Sequence, residues 1–380
     1  MLGRIVYIFS WVCCAKAALL CQNAFCAPVF GSMSFECAPD GDSVVSFPVS
    51  RIPAASGVVE SVDAESLMIV SKDALSGGEN AFVYDSAANP DHYYLKFTSG
   101  ALEGAWFDIS ANTSQSVSVK IGANDISSVE KGDSFEIIPH WTLNSLFPNG
   151  GVLKKNDVPA KGVKCSIVAK YTYYDESGTL VVPKGVNNAY QKFFYYRQYG
   201  NDVGWRERRS GNLDCGDQII EPNSFIILRH FEEGEPATLK ISGCVPQCAT
   251  AVEVVGLSDS NQENYAAMPS CCDISLSSLT ASLVDSGLFA ASTGAVRPAD
   301  ALLLYDNSAF DKYKAPTETF FYYAGALSPK GWYKVGSGSP SQRKADDYVL
   351  KAGSALVILK KSDGTDTFLR IKYKPPYIAK

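Results

Sequence analysis

Three tryptophans are the residues of this 380-residue chain whose type and placement best suit ligand binding. Trp106, Trp205 and Trp332 each follow a cluster of aromatic residues. An aromatic face can stack on a sugar ring, and the indole N–H needs a polar partner when the side chain is buried. The tryptophans therefore suit either exposed binding platforms or the cores of three separate parts of the chain.

An aspartate follows a tyrosine upstream of each tryptophan, at Asp85, Asp175 and Asp306. These carboxylates could accept hydrogen bonds from hydroxyls or coordinate calcium, which prefers oxygen ligands. Aspartate also caps turns through the nearby backbone. A residue that recurs in every copy of a unit is expected where the fold itself needs it. The sequence therefore favours structural roles, with tryptophans in cores and aspartates in turns.

The usual catalytic patterns are missing from the sequence. There are three histidines, and no Gly-x-Ser-x-Gly accompanies them. There is no His-x-x-x-His pair, phosphate-binding glycine loop or dinucleotide fingerprint. Carboxylates such as Asp346 and Asp347, or those between Glu232 and Glu235, could serve a glycosidase, which needs two carboxyls across a cleft. We predict no catalytic residue, no metal and no cofactor.

Eleven cysteines point to an exported chain, because disulfides persist outside the reducing cytosol. Seven of them follow residue 27, so at least one is left without a partner in the chain. We expect disulfides in a region whose connectivity the sequence leaves open: Cys244, Cys248, Cys271 and Cys272. A zinc site is the alternative, although adjacent cysteines depart from the usual spacing of tetrahedral ligands.

The first 26 residues are typical of a secretory signal peptide. Arg4 precedes an apolar run from Ile5 to Ala15, and small residues lead to a cleavage site predicted before Ala27. The run is shorter than the roughly 20 apolar residues that span a bilayer. We predict an exported protein, located in the periplasm, on the cell surface or in the medium, with no membrane span in the mature chain.

Composition excludes two further classes of protein. Hydrophobic residues at 46% are ample for packed cores, which argues against a disordered chain. The net charge is −6 at pH 7, whereas nucleic-acid binding requires clustered positive charge. The remaining partners are a glycan or an envelope protein.

Internal repetition indicates how the aromatic residues are positioned. The tetrapeptide Phe-Phe-Tyr-Tyr at 193–196 recurs at 320–323, and in both copies the tryptophan is the ninth residue after the second tyrosine. Apolar runs that begin at Ser224 and Ser354 follow the two tryptophans. A fainter copy extends from Phe82 to Ile138.

Strand signals dominate every copy. Short runs rich in Val, Ile, Phe, Tyr and Thr are bounded by Gly, Asp, Asn and Ser. Short helices are expected only at Leu143–Phe147 and Leu279–Phe289. We predict an all-β fold of three related β-sandwich or barrel-like units in tandem, with a few short helices. The predicted divisions are a signal peptide at 1–26, unit 1 at 27–142, unit 2 at 143–252, and a linker or insertion plus unit 3 at 253–380.

Four segments carry a resemblance to a known family. They are FECAPDGDSVVSFPVSRIP (Phe35–Pro53), HWTLNSLFP (His140–Pro148), LYDNS (Leu304–Ser308) and GSALVI (Gly353–Ile358). With them the chain resembles an uncharacterised family of exported proteins that occurs as multiple paralogues in Verrucomicrobia-type bacteria. The stretch between Gly256 and Cys272 departs from that pattern. The resemblance implies export and no known activity.

Two hypotheses about function follow. The first is an exported, non-catalytic β-rich protein that binds a glycan or a protein, or that forms a structural component of the cell envelope. The second is a glycan-active hydrolase with carboxylates in a cleft between units. The exposure of the tryptophans and the placement of the carboxylates distinguish the two.

Overall fold

The structure is a computed structural model that describes residues 28–37, 41–121, 125–151, 173–174, 180–181, 194–207, 213–229, 237–294, 298–311 and 314–378. Within these residues the fold is all-β, as the sequence predicts, because strands dominate and every helix is short. None of the described helices is long and apolar enough to cross a membrane. The predicted signal peptide lies outside the described residues.

Strands are numbered in chain order. The first thirteen are β1 (Phe30–Cys37), β2 (Asp42–Ser46), β3 (Ala55–Asp63), β4 (Met68–Ser71), β5 (Tyr93–Phe97), β6 (Trp106–Asn112), β7 (Ser116–Lys120), β8 (Ser134–Pro139), β9 (Trp141–Thr142), β10 (Tyr173–Tyr174), β11 (Leu180–Val181), β12 (Phe194–Tyr199) and β13 (Asp202–Glu207). The others are β14 (Ile219–Ile220), β15 (Phe225–Arg229), β16 (Ala237–Cys244), β17 (Thr250–Gly256), β18 (Gln262–Ala267), β19 (Ile274–Ser275), β20 (Ala301–Tyr305), β21 (Glu318–Tyr323), β22 (Gly331–Lys334), β23 (Val349–Leu350), β24 (Ala355–Lys360) and β25 (Thr367–Tyr373).

The helical elements are single turns or little more. They are α1 (Leu143–Leu146), α2 (Pro340–Arg343), 3₁₀ turns at Pro148–Gly150 and Leu276–Leu279, and a π-helical turn at Ala281–Asp285. In α1 the Thr142 hydroxyl accepts from the Ser145 N–H, and the Ser145 hydroxyl accepts from the Thr142 N–H. This reciprocal cap satisfies backbone donors that a helix start leaves unpaired.

A closed six-stranded barrel forms the N-terminal body, in the order β3-β4-β7-β6-β5-β8. Successive side chains in a strand point to opposite faces, so alternate residues fill the barrel and the others cover it. The buried interior includes Ile69, Leu95, Phe97, Phe107, Ile109, Val117, Val119, Phe135 and Ile137. The residues between them form an outer face that meets the rest of the protein.

The rest of the chain uses one strand-pairing scheme twice. In the middle unit the antiparallel pairs are β1–β16, β2–β15, β9–β14 and β12–β13. In the C-terminal unit the corresponding pairs are β17–β25, β18–β24, β19–β23 and β21–β22. Between β18 and β19 the chain runs only through residues 268–273, whereas the whole barrel lies between β2 and β9. The barrel is therefore an insertion into the middle unit.

These pairings differ from the predicted unit boundaries. Residues 30–46 are predicted in unit 1, but β1 and β2 pair with β16 and β15 of the middle unit. Strand β9 also pairs within the middle unit, and β17 starts the C-terminal unit at Thr250. The physical reason is that strands about 200 positions apart can pair without any sign of that pairing in the nearby sequence. An inserted domain therefore has the same local sequence pattern as a domain that follows in tandem.

An apolar cluster joins the middle and C-terminal units. It packs Val44, Phe225 and Ile227 against Tyr265, Tyr305, Ala355 and Val357. The Asn307 side chain accepts from the Val44 N–H at 2.7 Å and donates to the Val44 carbonyl at 2.8 Å. These bonds satisfy backbone groups of β2 that no neighbouring strand pairs on that side. The two units are thus held in one packed body.

Candidate ligand-binding cleft

Two of the three predicted tryptophans lie in cores. Trp205 and Trp332 are 0% exposed. Trp205 packs edge-to-face on Tyr196 and Trp332 packs the same way on Tyr322, both at 5.5 Å between ring centroids. The Trp332 indole N–H donates to the Thr280 hydroxyl at 3.0 Å. Neither ring is accessible as a binding platform.

Trp106 is placed differently. It lies at the start of β6 on the outer face of the barrel and is only partly buried. The ring packs edge-to-face against Tyr94, at 5.8 Å and 72°. Asp108, on the same face, accepts a hydrogen bond at its Oδ1 from Nε2 of the buried His140, at 2.9 Å. Of the three tryptophans, Trp106 alone retains exposed surface.

The predicted aspartates cap turns where the structure describes them. Asp85 Oδ1 accepts from the N–H groups of Ala87 and Ala88, and these bonds hold the pKa of Asp85 below its usual value. Asp306 Oδ1 accepts from the backbone and hydroxyl of Ser308 and from the Thr317 hydroxyl. Asp175 lies outside the described residues. Within the described chain, no group of three or more His, Cys, Asp or Glu side chains is arranged to hold a metal.

The predicted disulfide is not formed among its four candidates. Cys244, Cys248, Cys271 and Cys272 are all free thiols, as are the other cysteines that the structure describes. The Cys271 thiol donates to the Pro48 carbonyl at 3.6 Å, and the Cys272 sulfur lies 3.2 Å from the Ser270 hydroxyl. The sulfur atoms of Cys271 and Cys272 therefore contact oxygen atoms and form no disulfide.

Thiol labelling is expected to follow exposure. Cys272 is exposed, whereas burial raises the pKa of Cys37 to about 11 and removes it from solvent. Because the thiolate is the nucleophile, iodoacetamide should modify Cys272 in the folded protein well before Cys37. A time course read by peptide mass spectrometry, with the urea-unfolded protein as control, tests this. Labelling of the two thiols at equal rates in the folded protein would contradict the structure.

A cleft of about 640 Å³ lies between the outer face of the barrel and the segment 244–248. Strands β3, β5 and β8 form one wall, and the link between the middle and C-terminal units forms the other. The polar lining residues are Ser50, Ser56, Asp73, Lys96, Thr98, Ser134, Glu136 and Gln247. The volume is in the range of small-molecule sites, which usually occupy roughly 300–1,000 Å³.

Lys96 and Glu136 are the central charges of this cleft. They face each other on β5 and β8, and Trp106 faces Lys96 from β6. Among the described residues, no hydrogen bond or direct ion pair holds the Glu136 carboxylate, although Lys96 is its cross-strand neighbour. Burial raises the pKa of Glu136, and the nearby Lys96 charge only partly offsets that rise.

Lys96 also interacts with the opposite wall. Burial raises the pKa of Cys248, while the charge of Lys96 and a hydrogen bond from it act in the other direction. A small adjoining cavity of about 30 Å³ shares Ser50, Lys96 and Pro246 with the cleft and is lined by Trp106. The aromatic side chain therefore lies next to the charged pair.

Lys96 and Glu136 are not singled out by the sequence. Side chains alternate between the two faces of β5, so Lys96 lies outside the barrel while its neighbours Leu95 and Phe97 point inward. The outward position of Lys96 could therefore be predicted from the alternation of apolar and polar residues. The position of Glu136 opposite Lys96, and of segment 244–248 as the second wall, results from contacts between segments that are distant in the sequence. No family model, curated protein or solved structure matches the chain, so the interpretation of the cleft depends on its geometry.

Proposed function

We propose that this protein is an exported, non-catalytic glycan-binding protein and that the cleft between the barrel and segment 244–248 is its binding site. The observation that carries the proposal is the charged pair Lys96 and Glu136, which face each other without a direct ion pair, next to Trp106.

Sugar hydroxyls fit this arrangement chemically. Lys96 can only donate hydrogen bonds, and an ionised Glu136 can only accept them. A hydroxyl does both, so neighbouring hydroxyls of one sugar can satisfy the two side chains at once. The cleft adds further hydroxyl groups from Ser50, Ser56, Thr98 and Ser134. Trp106 lines the small cavity that adjoins the cleft at Lys96, and there it would offer an aromatic surface to a sugar ring that extends to that end of the site.

Export and modular construction are part of the same proposal. Support for export comes from the signal-like residues 1–26 and from the resemblance to an uncharacterised exported family. The shared pairing scheme supports the idea that the middle and C-terminal units are copies of one module, with the barrel inserted into the first copy. An exported binding protein would meet glycans of the envelope or of the surroundings.

A glycan-active hydrolase is the second candidate. Glu136 and Asp73 both line the cleft, and burial raises the pKa of Glu136, as a general acid requires. Product analysis after prolonged incubation with each bound saccharide separates the two functions, because a binding protein leaves the saccharide intact.

Substitution of Lys96 or Trp106 by alanine should weaken saccharide binding without unfolding the protein. A hydrogen bond to a charged group contributes about 1.5–3 kcal/mol, which corresponds to a tenfold to hundredfold loss of affinity for Lys96→Ala. The matched control is Lys330→Ala, which removes an exposed lysine outside the cleft. A glycan array followed by calorimetry measures the affinities. Binding by Lys96→Ala and Trp106→Ala at the wild-type level would refute the proposal.

A further inference from the structure

An exposed apolar rim borders one end of the cleft. It consists of Val29, Phe30 and Ile52, which are 47%, 59% and 57% exposed, although large apolar side chains are usually buried. Val29 follows Pro28 in the chain and Ile52 precedes Pro53, and both prolines line the cleft. Exposed apolar surface beside a polar site is typical of a surface that a ligand or a partner covers.

Strand register places the apolar rim next to the cleft lining. Phe30 pairs with Cys244 across β1 and β16, and Ser50 bridges to Cys244 from the other side. Directly paired residues point to the same face, with Cβ atoms about 4.5–5.5 Å apart. Cys244 and Ser50 both line the cleft, so the Phe30 side chain lies beside that lining. The Val29 carbonyl accepts from the Val245 N–H at 2.7 Å, which holds the start of β1 against the same wall.

The two walls of the cleft differ in polarity. The outer face of the barrel forms one wall, and all but one of its outward side chains are polar: Ser56, Val58, Lys96, Thr98, Ser134 and Glu136. The opposite wall is mostly apolar, and its residues are Pro28, Ser50, Cys244, Val245, Pro246, Gln247 and Cys248. Lys96 and Glu136 carry opposite charges that balance, so the polar wall suits an uncharged group that is rich in hydroxyls. The apolar wall continues out of the cleft into the apolar rim.

We infer that the cleft takes a glycolipid, whose sugar head group contacts the polar barrel wall while its alkyl chain lies across the apolar rim. This inference rests on the proposed function, and it specifies the class of glycan for that site. A free saccharide would leave the rim in water, whereas an alkyl chain removes apolar surface of both ligand and protein from water. The division of the site into a polar and an apolar part therefore matches the division of a glycolipid.

Glycosides that differ only in the length of the alkyl chain test the inference. The pairs are methyl and octyl β-D-glucoside, methyl and octyl β-D-galactoside, and methyl and octyl N-acetyl-β-D-glucosaminide. Calorimetry with the full mature chain, below the critical micelle concentrations, gives their affinities. Each methylene that is removed from water raises affinity roughly fourfold. Because the rim covers only one side of the chain, we expect the best octyl glycoside to bind about tenfold to a hundredfold more tightly than its methyl counterpart.

Phe30→Ser identifies the rim as the source of this gain. The variant should lose most of the gain while its affinity for the methyl glycoside stays unchanged. Lys96→Ala should instead weaken both members of a pair by a similar factor, because it alters only the polar wall. Leu327→Ser is the matched control, since Leu327 is 93% exposed in the loop between β21 and β22, and it should bind both as the wild type does. A gain that survives both Phe30→Ser and Ile52→Ser would overturn the inference.

The remaining outcomes separate the inference from the proposed function. If the octyl glycosides bind no more tightly than the methyl glycosides, or do not bind, the glycolipid inference is overturned and the glycan array alone decides the proposed function. Hexaethylene glycol monooctyl ether has the same alkyl chain and no sugar. If it binds as tightly as the best octyl glycoside, the site does not recognise sugars, and both the inference and the proposed function are overturned. Weak binding of this ether beside tight binding of an octyl glycoside supports both.

Discussion

Asp300→Ala is expected to lower the free energy of unfolding by about 3–5 kcal/mol, because it leaves a buried lysine without its counter-charge. Asp300 is 1% exposed and forms an ion pair with Lys360, whose ammonium also donates to the Leu288 carbonyl at 2.8 Å. The Asp300 carboxylate accepts two backbone N–H groups as well, from Ala290 at 2.7 Å and from Lys361 at 2.9 Å. The substitution therefore disrupts the attachment of the loop before β20 to the end of β24.

Urea unfolding followed by circular dichroism measures this effect. Asp273→Ala is the matched control, since its partner Lys351 lies on the surface and exposed ion pairs contribute at most about 1 kcal/mol. The double variant Asp300→Leu with Lys360→Met should recover much of the loss, because it removes both buried charges. If Asp300→Ala costs no more than Asp273→Ala, the pair does not support the C-terminal unit as described.

The all-β fold could be predicted from local pattern, and the register of its strands could not. In both aromatic repeats the tryptophan is the ninth residue after the second tyrosine, which suggests an ungapped match. The structure instead pairs Trp205 with Tyr196 but Trp332 with Tyr322. The paired tyrosine and tryptophan are thus one residue further apart in the second hairpin than in the first, and the loop between β21 and β22 accommodates that extra residue. Identical spacing in sequence therefore hides a shift that only hydrogen bonding across the strands reveals.

The candidate cleft was less accessible to sequence analysis than the fold. Its Lys96 and Glu136 lie on adjacent strands of the barrel, β5 and β8, but β6 and β7 come between these strands in the sequence. Its second wall comes from the link after β16. The three tryptophans look alike in sequence because each follows an aromatic cluster. Their environments differ because other side chains fill the barrel interior, so that Trp106 on β6 lies on the outer face of the barrel. Trp205 on β13 and Trp332 on β22 instead lie in the cores of the middle and C-terminal units.

This difference in environment leads to the second large expected effect, on stability. Trp332→Ala should lower the free energy of unfolding by about 3–5 kcal/mol, because it empties a fully buried ring site in the C-terminal core. It also leaves the Thr280 hydroxyl without its indole donor. Trp205→Ala should be similarly costly in the middle unit. Trp332→Phe keeps an aromatic ring in the core and should cost less than Trp332→Ala.

Trp106→Ala is the decisive comparison, because the same substitution is made on a partly exposed ring. We expect it to leave the urea midpoint close to that of the wild type while it weakens saccharide binding. Circular dichroism is the suitable probe, since each variant removes one of only five tryptophans and alters the fluorescence. If Trp106→Ala destabilises the protein as much as Trp332→Ala, all three rings are structural. The aromatic contribution to the cleft is then excluded, and any binding must depend on Lys96 and Glu136.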